Sequence, residues 1–172
     1  QYFGVALSTT RIDQFAKDVS AVAATLPVTQ QRLSLDLSDA ATNLQRRARL
    51  LFDVLRDAVG RHRSGDRMPF TGDLAEAIAE SRQDTADALD VIVRLSSDDE
   101  LPQDVTALVT RAAAMLADLD TLTAADDPRY VHFVEVRGRS VALKAAPIDA
   151  SGLIRDVGIG ERHAAVLTAA TL

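Results

Sequence analysis

Cysteine is absent from the 172-residue chain. Disulfides, thiolate metal sites and cysteine nucleophiles are thereby excluded. Aromatic side chains make up only 4% of the residues, so a core has to be built from Leu, Val and Ala, and Ala-rich helices pack closely but gain less per residue. No uncharged apolar run approaches the roughly 18 residues that a membrane span needs. The chain opens on Gln1, with Arg11, Asp13 and Lys17 soon after, which is not the pattern of a signal peptide. The expectation is an excised segment of a cytoplasmic protein with no membrane partner. Lysine is confined to Lys17 and Lys144, and neither follows a glycine. The G-x-x-x-x-G-K loop whose backbone amides and lysine cradle phosphates is therefore missing, as is an Asp-Glu-Ala-His box. The chain alone is expected not to hydrolyse ATP.

Other sites of chemistry are equally thin. His62, His132 and His163 lie far apart and lack ligand spacing, and arginines flank His62, so no metal site is expected. No serine or threonine sits in a nucleophile-elbow pattern. Gly158 and Gly160 read as a plain turn, since the third glycine of a dinucleotide fingerprint is missing. No catalytic residue is assigned.

What the chain does contain is a soluble globular composition, 47% apolar and 26% charged, with a net charge of −6. Its length suits one domain burying roughly two thirds of its unfolded surface. The acidic balance argues against a free-standing nucleic-acid binder.

Helical periodicity dominates. Ser8 or Thr9 is placed to cap a helix whose Ile12, Phe15, Ala16, Val19 and Val22 or Ala23 share one face. Pro27 ends it near Leu26. A second helix is expected from about Asp36 or Ser38, with Leu37, Ala41, Leu44, Ala48, Leu51, Leu55 and Ala58 stepping by three or four, and Gly60 closing it. Residues 61–72 read as a loop. Thr71 or Asp73 opens a third helix with Leu74, Ile78, Ala86, Leu89, Ile92 and Val93 on its inner face. Residues 96–100 form a charged turn. Pro102 then begins a fourth helix carrying Val105, Leu108, Ala112, Met115, Leu119 and Leu122. Stripes of this kind bury one another in a bundle.

After Pro128 the period changes to two. Residues 129–137 and 140–146 predict a hairpin turning at Gly138 and Arg139, with Gly first as a type II′ turn requires. Val136 then faces Val141 and Val134 faces Leu143. Phe133, Glu135 and Lys144 fall on the opposite side, where Glu135 and Lys144 meet diagonally. A short helix over residues 150–157 leads through Gly158 and Gly160 to a terminal apolar run, Ala164 to Leu167. That run reads as a strand buried on both faces or as a buried helix.

Charge is unevenly spread. From position 46 to 67 seven arginines face three aspartates, whereas from 73 to 127 fourteen acids face three arginines. One reading is a strip that touches a phosphate backbone. The other is that Arg46, Arg49 and Arg56 pair with acidic neighbours across the bundle. Arg61, Arg63 and Arg67 are the better DNA-contact candidates, because a loop is less readily neutralised by a packed helix.

The last ten residues, H-A-A-V-L-T-A-A-T-L, resemble the segment ending in T-S-A-T-L that forms motif III of DinG-type superfamily-two DNA helicases, relatives of XPD. Residues 1–8, Q-Y-F-G-V-A-L-S, resemble the stretch those helicases carry just after motif II. Ala169 stands where the family usually has Ser or Gly. The resemblance covers the two ends, and the middle by architecture, because the family inserts a helical arch domain between these motifs. It implies that residues 1–8 end the motor segment after motif II, that 9–127 are the arch-like insertion, and that 128–172 return to the motor domain. The expected fold is mainly α, about four long helices with a hairpin and a C-terminal strand belonging to a helicase α/β domain. Thr168, Ala169, Ala170 and Thr171 would couple the ATP site to the DNA groove. ATP and Mg would be bound by flanking motifs, and the cysteines with which such relatives often hold an iron–sulfur cluster would lie before this segment, so the sequence is silent on that cluster. The resemblance implies single-stranded DNA and the rest of the motor as partners, with translocation 5′ to 3′. The competing expectation is a non-enzymatic helical interaction module that uses its acidic helices to bind a protein or to dimerise.

Overall fold

Ser8 ends one element and starts the next. In the structure, a computed structural model that describes residues 4–60, 67–95, 101–124 and 127–148, strand β1 (Val5–Ser8) runs directly into helix α1 (Thr9–Thr25). The extended Ser8 accepts a hydrogen bond on its hydroxyl from the Arg11 N–H at 3.1 Å, which satisfies one of the amides that a helix start leaves unpaired. Ile12, Phe15, Ala16, Val19 and Ala23 are buried along one face, as their spacing predicts. Leu26 and Pro27 stop the helix. A short 3-10 turn (Val28–Gln30) follows, and α2 (Gln31–Val59) leaves from it.

Helix α2 begins several residues before Asp36. No side chain caps it at Gln30. Instead the Ser34 hydroxyl donates to the Ala23 carbonyl at 2.7 Å and fastens the first turn of α2 to the end of α1, a tertiary contact without a local signature. The buried stripe holds Leu37, Ala41, Leu44, Ala48, Leu51 and Leu55, but at the C-terminal end Val59 is buried and Ala58 is exposed. The 3.6-residue period favours that outcome, since Phe52, Leu55 and Val59 continue one stripe. Gly60 closes the helix at φ +71°, with its N–H on the Arg56 and Asp57 carbonyls; a left-handed conformation of this kind is open to glycine at little cost.

The stretch read as a loop contains a strand, β2 (Arg67–Pro69). Three residues ending in proline give no alternation to detect, and proline is tolerated in an edge position such as this one. The third helix is divided. Thr71 caps α3 (Gly72–Ala77), accepting from the Leu74 N–H at 3.4 Å, and the chain turns at Ile78 into α4 (Ala79–Arg94). Ile78 stays fully buried, so the apolar stripe survives the break. Helix α5 (Gln103–Thr123) follows Pro102 and buries the six residues its spacing predicts.

Strands β3 (Tyr130–Arg137) and β4 (Ser140–Pro147) form the predicted hairpin about Gly138, which has φ +59°. Val136 opposes Val141 and Val134 opposes Leu143. The hairpin becomes a four-stranded antiparallel sheet because β1 pairs with β4 and β2 with β3, in the order β1-β4-β3-β2. Helix α1 packs on α2, α2 on α4, α4 on α5, and α5 back on α1, so the four long helices close a ring. The inner face of the sheet, with Leu7, Val134, Val141, Leu143 and Ala145, joins their common core. Each such buried leucine or valine contributes about 1.5–3 kcal/mol. The architecture is thus mainly α, a helical bundle with a small sheet. The expected C-terminal strand, residues 164–167, and the helix over 150–157 lie outside the described residues.

Candidate functional site

Most arginines of the bundle are spent on one carboxylate each. Arg11 of α1 meets Asp118 of α5 at 2.7 Å, and Arg111 of α5 meets Asp18 of α1 at 2.8 Å. Arg47 of α2 bonds Asp84 of α4, and Arg82 of α4 bonds Asp120 of α5. The Arg111 hydrogen bond, followed by that of Gln14, holds the Asp18 carboxyl below its ordinary value. Pairing across the bundle therefore occurs, but through Arg11, Arg47, Arg82 and Arg111 rather than Arg46, Arg49 and Arg56. Arg46 instead bonds Asn43 of its own helix at 3.0 Å, and Arg56 reaches Asp53 at 3.5 Å and the Arg139 carbonyl. Arg49 is exposed and makes no such contact among the described residues.

The outer face of the sheet is organised differently. Same-face positions are Arg67 and Pro69 on β2, Val131, Phe133, Glu135 and Arg137 on β3, and Ala142 and Lys144 on β4, as the register dictates. Glu135 is only 3% exposed, and three cations share it. Lys144 bonds Oε2, while Arg67 and Arg137 both approach Oε1, at 3.4 and 3.1 Å. The diagonal Glu135–Lys144 meeting that the hairpin register predicts is thus present. Burial pushes the Glu135 carboxyl up, but the Lys144 hydrogen bond outweighs it and the net direction is down. The Arg67 guanidinium also lies over the Phe133 ring, 5.3 Å from its centre. Phe133 is buried yet belongs to no part of the common core.

Of the residues singled out in the sequence, Arg67 is therefore placed on the outer sheet face. Arg61 and Arg63 lie outside the described residues, as do Thr168, Ala169, Ala170 and Thr171, and His62 and His163. His132 is buried. Its Nδ1 lies 3.2 Å from the Leu122 carbonyl, which makes Nδ1 the donor, and its Nε2 meets no partner among the described residues. Among the described residues, no group of three or more His, Asp or Glu side chains is placed to hold a metal. No helix there is long and apolar enough to cross a membrane. A phosphate cradle for ATP is not assembled among them either. Lys17 follows Ala16 in the middle of α1, and Lys144 is committed to Glu135.

The clefts offer little chemistry. One of about 460 Å³ between α4 and the end of α5 is lined by Arg82, Gln83, Asp120 and Thr123 among others, but Arg82 and Asp120 satisfy each other. Arg137 is the member of the outer-face cluster that sequence reasoning missed. Its alternation with Glu135 along one strand was the available signal. Comparison with known protein families, curated proteins and solved structures finds no match.

Proposed function

We propose that the chain is the arch-like insertion of a DinG-type ATP-dependent DNA helicase, set between motif II and motif III of its motor. The observation that carries this reading is the pairing of β1 with β4. Val5 opposes Ala145 and the strands are antiparallel, so the chain enters β1 and leaves β4 at the same end of the sheet. The two segments that flank the helices, residues 1–8 and 128–148, are thereby held in one sheet, as the junction of an insertion requires, because a host domain tolerates an insertion best when its two connections lie side by side. The resemblance of residues 1–8 and 163–172 to the flanks of an arch supports the same reading.

In this reading residues 9–127 are the arch. Residues 1–8 and 128–172 belong to the motor chain, with β1, β3 and β4 packing the arch helices onto that junction. ATP and Mg are held by the flanking motifs, in a cytoplasmic enzyme that moves 5′ to 3′ on single-stranded DNA. Thr168, Ala169, Ala170 and Thr171 couple the two sites, and the arch helps to guide the strand. The chain contributes geometry and contacts rather than bond breaking.

The test is ATP turnover by the polypeptide that carries the chain in its natural context. Stimulation by single-stranded DNA and unwinding of a 5′-tailed duplex are expected. Replacing residues 9–127 by a linker between β1 and β3 should leave ATP turnover measurable and abolish unwinding. Absence of any DNA-stimulated turnover in the intact polypeptide overturns the proposal. A second reading, a protein-interaction module, draws on the exposed Asp73, Glu76, Glu80 and Asp87 of α3 and α4. It predicts no ATP turnover and a stable complex with a basic partner or a second copy.

A further inference from the structure

We infer that the outer face of the sheet, centred on Arg67 and Arg137, is the surface on which this chain holds the phosphate backbone of single-stranded DNA. The inference rests on the helicase reading and adds to it the place and the residues of contact. The argument begins with the distribution of charge. In the ring of helices each arginine that forms an ion pair has its own carboxylate. On the outer sheet face Arg67 and Arg137 instead share one oxygen of a single carboxylate, on a chain whose net charge is −6. The negative member and Lys144 are largely inside and the two arginines point outward. Glu135 is 3% exposed, whereas the side chains of Arg67 and Arg137 are 65% and 66% exposed. Arg139 extends the positive region to the exposed hairpin turn, where its carbonyl is held by Arg56.

The division of labour on Glu135 allows the two arginines to change partner. Lys144 occupies Oε2, so Arg67 and Arg137 can swing from Oε1 to an incoming phosphate without leaving a buried carboxylate unpaired. Phosphate suits them, because a guanidinium fork matches two phosphate oxygens in one plane. Stacking over Phe133 restricts the plane of Arg67 before the ligand arrives. The same face also offers apolar groups. Val131 is 53% exposed and Pro69 is exposed, a mixture of cations and apolar surface that fits an unpaired strand with its bases accessible.

The test uses, without nucleotide, the polypeptide that carries the chain in its natural context, so its outcome is independent of ATP turnover. Binding of a fluorescein-labelled oligothymidylate is followed by anisotropy between about 50 and 200 mM salt. Arg67→Gln/Arg137→Gln should weaken binding about tenfold and reduce the slope of log K against log salt by about 1.4, the value for two lost phosphate contacts on a single strand. Arg67→Lys/Arg137→Lys should keep the slope. Arg32→Gln/Arg94→Gln removes the same charge from exposed pairs within α2 and α4 and should bind like the parent. Thermal melts establish that each variant is folded. No binding by the parent chain at the lowest salt, or equal losses from the two glutamine pairs, overturns the inference. So does competition by polyglutamate as effective as that by unlabelled oligothymidylate, which would mark a surface for any polyanion.

Discussion

Glu135 is lowered in spite of its burial because the hydrogen bond from Lys144 more than offsets the loss of water. The sign of its contribution to stability follows. A carboxylate whose folded value lies below its unfolded one, about 4.3 for glutamate, adds stability that is fully present above that unfolded value. The contribution is lost as pH falls through the lower folded value. Glu135→Gln removes it and leaves the half-buried Lys144 facing a neutral amide. The expected cost at pH 7 is about 2 kcal/mol, below the 3–5 kcal/mol of a fully buried broken pair because Arg67 and Arg137 remain in contact with water. Urea unfolding of parent and variant should show a gap that is constant above about pH 5 and narrows below about pH 4. A gap of the same size at both ends of that range would mean that shape, not charge, makes Glu135 matter.

At the scale of elements, Ser8 joins β1 to α1 and its hydroxyl caps the first turn of α1. Ser8→Ala should cost about 1 kcal/mol, read as a lower urea midpoint with unchanged slope. Ser8→Asp should restore the cap, and failure of that rescue would argue that Ser8 acts through packing. The cap was legible because a hydroxyl stands directly before a helical stripe. The six buried residues of α5 and the hairpin register were legible for the same reason: their periodicity is local. Strand β2 was not, since three residues cannot show alternation. The early start of α2 depends on Ser34 meeting the Ala23 carbonyl, and the break at Ile78 leaves the stripe intact, so neither marks the sequence. The outer-face site was legible in halves. Arg67 stood out as an arginine in a presumed loop and Glu135 as the partner of Lys144. Their meeting needed β2 to pair with β3, which no local pattern announces.

The molecule as a whole is closed by β1, a four-residue strand that pairs with β4 across almost the entire described chain. Leu7 is fully buried there, where α1 and α5 pack against β1. If the helices and the sheet form one core, as the continuous cluster of buried residues indicates, damage at Leu7 cannot stay local. Leu7→Ala should cost about 3 kcal/mol. Native-state amide exchange should then show the most protected amides of α1, α5 and β4 losing the same free energy, because all of them exchange through global unfolding. Exchange that accelerates in β1 alone would mean that the strand frays independently of the bundle. That distinction bears on function. On the proposed helicase reading, a strand that opens with the whole body ties the helices and the sheet into one unit, able to transmit a displacement to the outer sheet face. A strand that frays alone would decouple the arginines on that face from whatever moves at the junction, and helix packing would then carry no signal between them.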